Sequence, residues 1–329
     1  MIEVVFDTQA LTRVRFAISP TIEAVASIRA LADPSRGALH LPWVERARTR
    51  TAGIDLSTIL ALQGSDIYNP DFIHPLPTSP FTRFEDELAS LLATPAARIR
   101  KEVRVAYQGR ELPSVLHPFI DEPRVAVRAL AELMRSYWEH ALADDWERIR
   151  ALLEHDVLYR ARQIADGGTS ALFADLDQSV GWDDGVLQVE CHCNNGADFR
   201  LDLDERGLLL IPSVFAPHAM TVTAAPWQPT LIYPARGVGM LWDPPCEAAP
   251  DALARLVGRN RAALLVALDF PRSTTELAGL LGVTSGGVSQ QLSVLAEAGL
   301  VNRRRVSRHV LYLRTCDGDT LVKAAGAAA

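Results

Sequence analysis

The sequence predicts an α+β N-terminal domain followed by a smaller C-terminal domain of helices and one β-hairpin. Three observations carry this. The hydrophobic period is two near the N-terminus, helical through the middle of the chain, and two again from Gly185 to Tyr233, an order expected of one domain whose first strands pair with later ones. Asp243-Pro-Pro-Cys-Glu-Ala-Ala-Pro250 then interrupts both helix and sheet and reads as a linker. Behind it, Ser273 to Leu300 carries the start and stop signals of two short helices joined by a tight turn. The expected boundaries are 1–245 for the first domain, 250–316 for the second and 317–329 for a frayed tail.

Residues 2–19 read as two strands, with Val14, Phe16 and Ile18 alternating as in a half-buried strand. Pro20 opens a helix to about Leu31. Another follows from Trp43 through about Arg50, and then a loop rich in proline at Pro70, Pro75, Pro77 and Pro80. Residues 81–93 and 95–105 read as two short helices, with Pro95 at an early position of the second. From Pro123, Val127, Leu130, Leu133, Met134, Tyr137, Trp138 and Leu142 recur at helical spacing. A further helix from Trp146 carries Ile149, Leu152, Leu153, Val157 and Ile164 and ends at Gly167-Gly168. Such stripes are either core or a dimer seam. A short helix near Thr169–Leu176 precedes strands at Val186–Glu190, Phe199–Leu203, Leu208–Phe215, Met220–Thr223 and Thr230–Tyr233.

In the C-terminal domain Ala252–Leu268 reads as one helix, with Leu253, Leu256, Leu264, Leu265 and Leu268 largely inward. Ser273 and Glu276 have capping-box spacing. Leu277, Leu280 and Leu281 share one face, and Gly282 stops the helix because glycine enters the left-handed region without strain. Thr284 caps the next helix, in which Val288, Leu292 and Leu295 form a buried stripe. Ser289, Gln290, Ser293 and Glu297 then point outward, with Gln291 on the flank. Gly299 ends that helix. Arg303, Arg304, Arg305 and Arg308 follow at a turn between two β-prone runs, which describes a basic hairpin.

Two helices, a turn and a basic hairpin make a winged helix-turn-helix domain. Such a domain sets its second helix in the major groove of DNA and its hairpin tip on phosphates or the neighbouring minor groove. Gln290 can pair with adenine in bidentate fashion, worth about 1–3 kcal/mol of discrimination. Ser285, Ser289 and Ser293 are short donors. Gly286 and Gly287 either let the backbone approach a phosphate or simply fray the first turn. The arginines supply the charge that makes binding salt-dependent.

The order of these pieces, from the Ser-Thr-Thr-Glu-Leu-Ala run through Val-Ser-Gln-Gln-Leu to the arginine-rich hairpin, resembles the ArsR-type winged-helix transcriptional regulators over residues 252–315. The resemblance implies a homodimeric repressor on double-stranded DNA with a near-palindromic operator. In that family the position of Gln290 or Gln291 is often histidine. Leu31-Ala-Asp-Pro-Ser-Arg36 is similar to the opening of many bacterial winged-helix repressors, but no helix-turn-helix follows it, so the DNA-binding domain is not placed at the N-terminus. Arg13–Pro20, His40–Trp43, Asp145–Glu154 and Arg206–Phe215 are similar to a domain found ahead of ArsR-type winged helices in regulators of high-GC bacteria. That likeness implies the architecture and no ligand.

Composition sets bounds on the rest. With 48% hydrophobic and 22% charged residues the chain is globular. Neither a membrane-spanning run nor a signal peptide is expected from the residues, and the few cysteines suit a reducing cytoplasm, where the chain is expected to reside. The net charge of −7 is unevenly spread: residues 251–329 hold ten Lys and Arg against six Asp and Glu, whereas residues 1–250 hold 23 against 34. The histidines are scattered, with no nucleophile elbow, metalloprotease helix or phosphate loop, so neither enzyme activity nor a cofactor is expected. The signal for the first domain stays open. A small-molecule effector could lie among Trp43, Tyr137, Trp138, Trp146, Trp182, Phe215 and Trp227, which would otherwise be ordinary core. Cys191 and Cys193, on one side of a strand, could clip a metal or sense oxidation, or be two small half-buried residues. The domain could also be purely a dimerisation or protein-interaction module.

Overall fold

In the computed structural model of the chain, residues 1–33, 38–64, 68–190, 199–203, 206–222, 228–242, 251–269, 272–306 and 309–326 are described. The chain divides into two units, Met1–Trp242 and Asp243–Ala329. No helix among the described residues is long and apolar enough to cross a membrane.

The first unit opens with strand β1 (Ile2–Val5), a single helical turn α1 (Thr8–Leu11) and strand β2 (Arg15–Phe16). The Asp7 carboxylate accepts from the Ala10 amide at 2.6 Å, which starts a helical turn between the two expected strands. Eight α-helices follow among the described residues: α2 (Pro20–Ala32), α3 (Leu41–Arg50), α4 (Ser57–Gln63), α5 (Phe84–Leu92), α6 (Ala96–Ala106), α7 (His117–Asp121), α8 (Pro123–Ala141) and α9 (Trp146–Ala174). The short helices α4 and α7 lie where the sequence shows no helical stripe. Each buries only one or two apolar side chains, Ile59 and Leu62 in α4 and Phe119 in α7, too few to produce a period. Gly168, at φ 70° and ψ −166°, interrupts α9, so the expected break and the short helix beyond it are both present.

Six strands follow among the described residues: β3 (Val180–Asp183), β4 (Val186–Val189), β5 (Phe199–Asp202), β6 (Leu209–Ser213), β7 (Met220–Val222) and β8 (Thr230–Pro234). β3 is absent from the sequence reading. It is folded onto β4 by Asp184-Gly185, both at positive φ, a two-residue hairpin turn. One sheet runs β3-β4-β1-β5 and the other β2-β6-β8-β7. β1 is antiparallel to β4 and parallel to β5, with Ile2 opposite both Val189 and Phe199. β2, β6 and β8 are mutually parallel. All five residues of β6 are buried, as in a strand covered on both faces. Leu210 and Leu231 share a core with Val4 and Leu187 of the other sheet and with Leu172 and Phe173 of α9. Leu209, Ile211 and Ile232 share another with Ile22 of α2. The remaining helices close a third core around Trp43, Leu130, Tyr137 and Ile149. The unit is thus a mixed α+β domain.

Two buried carboxylates tie α2 to its surroundings. Glu87 of α5 accepts from the Ser19 hydroxyl at 3.0 Å and the Thr21 amide at 2.9 Å, serving the start of α2 from outside that helix. Glu23 accepts from the Val214 amide at 2.9 Å, just beyond β6. Burial pushes the Glu23 carboxyl up to about 7, only partly offset by hydrogen bonds from Ser213, Val214 and Phe215. A raised acid stabilises the fold fully below its unfolded pKa and loses that contribution as pH rises through the folded value. Burial of His40 lowers its pKa to about 4 and acts oppositely, its contribution being lost as pH falls from 6.5 towards 4. The informative quantity is therefore the difference between variants. Between pH 5 and 8, Glu23→Gln should gain on the parent by on the order of 2–3 kcal/mol in urea unfolding. A difference that stays constant with pH would contradict this.

The second unit begins with α10 (Asp251–Val257) and α11 (Arg259–Ala267). These correct the single helix expected over Ala252–Leu268: Gly258, at φ 88° and ψ 146°, separates them. Leu256, expected inward, is 69% exposed. Then come β9 (Arg272–Ser273), α12 (Thr274–Leu281), α13 (Ser285–Glu297), β10 (Val301–Val306), β11 (His309–Arg314) and α14 (Cys316–Gly326). The sheet order is β10-β11-β9, antiparallel throughout. Leu264, Leu265, Leu277, Val288, Leu292, Leu295 and Tyr312 form the core.

Helix α14 corrects the expectation of a frayed tail. Leu321 and Val322 pack against the core. The Arg314 guanidinium donates to Asp319 at 2.6 Å and to the Leu265 carbonyl at 2.9 Å. Gly318 lies so close to the Leu300 carbonyl that a β-carbon would overlap it. Gly318→Val should therefore push α14 off and destabilise this unit by about 1–3 kcal/mol. Hydrogen exchange at the Leu311–Leu313 amides reads that loss, and unchanged protection there would contradict the role given to α14.

Candidate nucleic-acid interface

Capping chemistry fixes the position of α12 and α13. The Glu276 amide donates to the Ser273 hydroxyl at 3.3 Å, and the Ser273 amide donates to the Glu276 carboxylate at 2.7 Å, a reciprocal box at the start of α12. Gly282, at φ 66°, ends that helix, and the Val283 amide donates back to the Ala278 carbonyl at 3.1 Å. The Thr284 hydroxyl accepts from the Gly287 amide at 3.3 Å and opens α13. One detail differs from expectation. Leu277 and Ala278 are the buried pair of α12, whereas Leu280 is 56% exposed. In an eight-residue helix held against α11 and α13, the inward positions are the ones that meet those neighbours.

Helix α13 divides cleanly. Val288, Leu292 and Leu295 are buried. Thr284, Ser285, Gly286, Gly287, Ser289, Gln290 and Ser293 are all exposed, and Gln291 is half-buried on the flank. The Ser293 hydroxyl donates to the Ser289 carbonyl at 3.0 Å, so it rests on the helix backbone. The two glycines differ. Gly286 has open space around it, and a β-carbon on Gly287 would come within 3.2 Å of the Thr284 hydroxyl that caps the helix. Gly287 therefore protects the cap, and Gly286 leaves the backbone open to approach.

The hairpin pairs from Val301 opposite Arg314 to Val306 opposite His309. Arg303, Arg304 and Arg305 lie along β10 itself, not at the turn as expected, because pairing continues to Val306. Arg303 is exposed. Arg308 lies outside the described residues. Arg314 is no part of an open basic face, since it braces α11 and α14. Leu280 and Val283, 56% and 48% exposed, flank the turn between α12 and α13. The sequence sets Leu280 on one face with Leu277 and Leu281, and a stripe rule carries no signal for apolar residues left in solvent.

The alternative sites gain nothing. Cys191 and Cys193 lie outside the described residues, and among those described no group of three or more His, Cys, Asp or Glu could hold a metal. The aromatic residues do not line one pocket. Trp43 packs on Phe215 and Trp242 at centroid distances of 4.6 and 6.1 Å, with the Trp242 indole donating to His40 at 3.1 Å. Trp138 stacks on Phe84 at 4.4 Å and meets Trp146 edge-on. Trp182 belongs with Phe6 and Phe173 in a different core. Tyr137 is buried and bonded to Ser27 at 2.9 Å, and Trp227 lies outside the described residues.

Residues 72–239, just over half of the chain, match the model of a family described as a family of unknown function, DUF5937. Nothing among curated proteins or solved structures matches.

Proposed function

Because the chain belongs to the DUF5937 family, whose function is unknown, we propose its role from its own residues: a non-enzymatic, sequence-specific DNA-binding regulator, acting as a homodimeric repressor. On this reading the second unit is a winged helix-turn-helix domain and the first receives the signal. The observation that supports it most is the division of α13, whose exposed face carries Ser289, Gln290 and Ser293 over a buried stripe of Val288, Leu292 and Leu295. A helix fixed by caps at its start, with short donors and an amide outward, suits major-groove reading. The basic run along β10 directly behind it suits phosphate contact, and the excess of Lys and Arg over residues 251–329 confines favourable charge to this part of an acidic chain.

One such helix reads only a few base pairs. Two in a symmetric dimer read a near-palindrome with half-sites about 34 Å apart. A signal acts by binding more tightly to the arrangement of the dimer that cannot span those half-sites, which shifts the population away from DNA.

The test begins with selection of bound genomic fragments by the full chain. On those fragments, Arg303→Ala with Arg305→Ala should weaken binding at least tenfold irrespective of sequence. It should also flatten the dependence of log affinity on log salt by about 2. Gln290→Ala should leave that slope alone and lose about 1–3 kcal/mol of preference at one base position. If both variants bind like the parent, the DNA reading is wrong.

A further inference from the structure

We propose that a groove between α5, α6 and α8 in the first unit binds a small amphipathic carboxylate, an apolar chain or ring that ends in a single carboxylate. This goes beyond the DNA reading and does not rest on it. The groove holds about 570 Å³, within the roughly 300–1,000 Å³ usual for small-ligand sites. Its floor is apolar: Ile99 of α6 and Val127 of α8 are buried, and Leu92 at the end of α5 is 44% exposed at its edge. All of it lies inside the segment that matches the family.

The rim is cationic. Arg124 and Arg128 stand one turn apart on α8, and both line the groove. Neither has a hydrogen-bond or ion-pair partner among the described residues. That contrasts with Arg135 on the same helix, held by Glu85 at 3.0 Å and Glu132 at 2.9 Å. Residues 1–250 as a whole are acidic, with 23 Lys and Arg against 34 Asp and Glu. Two uncompensated guanidinium groups beside an apolar floor in an acidic unit ask for an anion with an apolar body. A guanidinium binds a carboxylate through two parallel N–H donors. Pro95 and Ala96 bring the start of α6 to the same groove without a side-chain cap, which adds a further positive potential there. Glu132 also lines the groove. Its charge disfavours a second negative group on the ligand, hence a monocarboxylate.

Octanoate is a suitable probe. Titrated into the full chain without DNA, it should bind saturably with a Kd of about 1 mM or tighter. It should shift the methyl resonances of Leu92, Ile99 and Val127. Arg124→Ala with Arg128→Ala, two exposed side chains whose loss leaves thermal unfolding unchanged, should weaken binding at least tenfold. Acetate and inorganic phosphate, which lack the apolar body, and 1-octanol, which lacks the charge, should each bind at least tenfold more weakly than octanoate. The proposal is overturned by no saturable binding up to 10-fold above that Kd, by equal binding of the double variant, or by equal binding of phosphate, acetate or octanol. None of these outcomes bears on the arginines of β10, so the DNA reading stands or falls separately.

Discussion

The first unit depends on one buried ion pair. Asp156 and Arg160 occupy consecutive turns of α9 and are 0% and 1% exposed. Asp156 accepts from the Tyr233 hydroxyl at 2.8 Å and the Arg236 amide at 3.1 Å, where β8 ends. Arg160 donates to the Asp175 carbonyl at 2.7 Å and to Gln163 at 3.0 Å, reaching past the break at Gly168. The middle of a long helix is thereby fastened both to a central strand and to the segment that leads into β3. Such a pair adds little net stability over well-packed apolar residues. Removing one partner, however, strands a charge in the interior at about 3–5 kcal/mol. Its contribution is to specify one arrangement of helix and sheet. Arg236 extends the arrangement outward, paired with Asp175 at 2.8 Å and stacked over Tyr159 at 4.0 Å.

The second unit is governed by local chemistry. Ser273 fixes where α12 starts, Gly282 and Thr284 decide where it stops and α13 starts, and that phase decides which side chains of α13 remain in solvent. A start one residue later would rotate the helix by about 100° relative to its core and bury part of the polar set. The same three residues explain why the polar face was legible from sequence. Caps, a left-handed glycine and a three-residue apolar stripe are all properties of short windows.

What was not legible depends on distant residues or on exceptions to a stripe. The hairpin turn Asp184-Gly185 does carry a local signal, so β3 was there to be found. Gly258 lies inside Ala252–Leu268, expected as one helix, and its backbone angles show the break. The tail of small residues became α14 because Arg314, Leu300 and the core receive it, none of which is adjacent in sequence to Leu321. The aromatic residues gave no indication of which core each would join, since Trp43 and Trp182 have the same character in sequence and opposite destinations. Nothing in the sequence singles out Arg124 and Arg128, and their lack of partners among the described residues emerges only when α5 and α6 are set beside them.

The position of β1 carries a consequence for the order of assembly. Flanked by β4 and β5, it sits inside its sheet, with Ile2 and Val4 buried. Its partners, Val186–Val189 and Phe199–Asp202, are made last among the strands it touches. At the roughly 5–20 residues per second of ribosomal synthesis, the first residues wait about 10–40 s for them. The helices α2 to α8 can pack on one another in that interval, because all of them precede β4 in the chain. The sheet cannot close until β1 is set between two strands made long after it, so β1 precedes every partner it needs and waits for them to find its place.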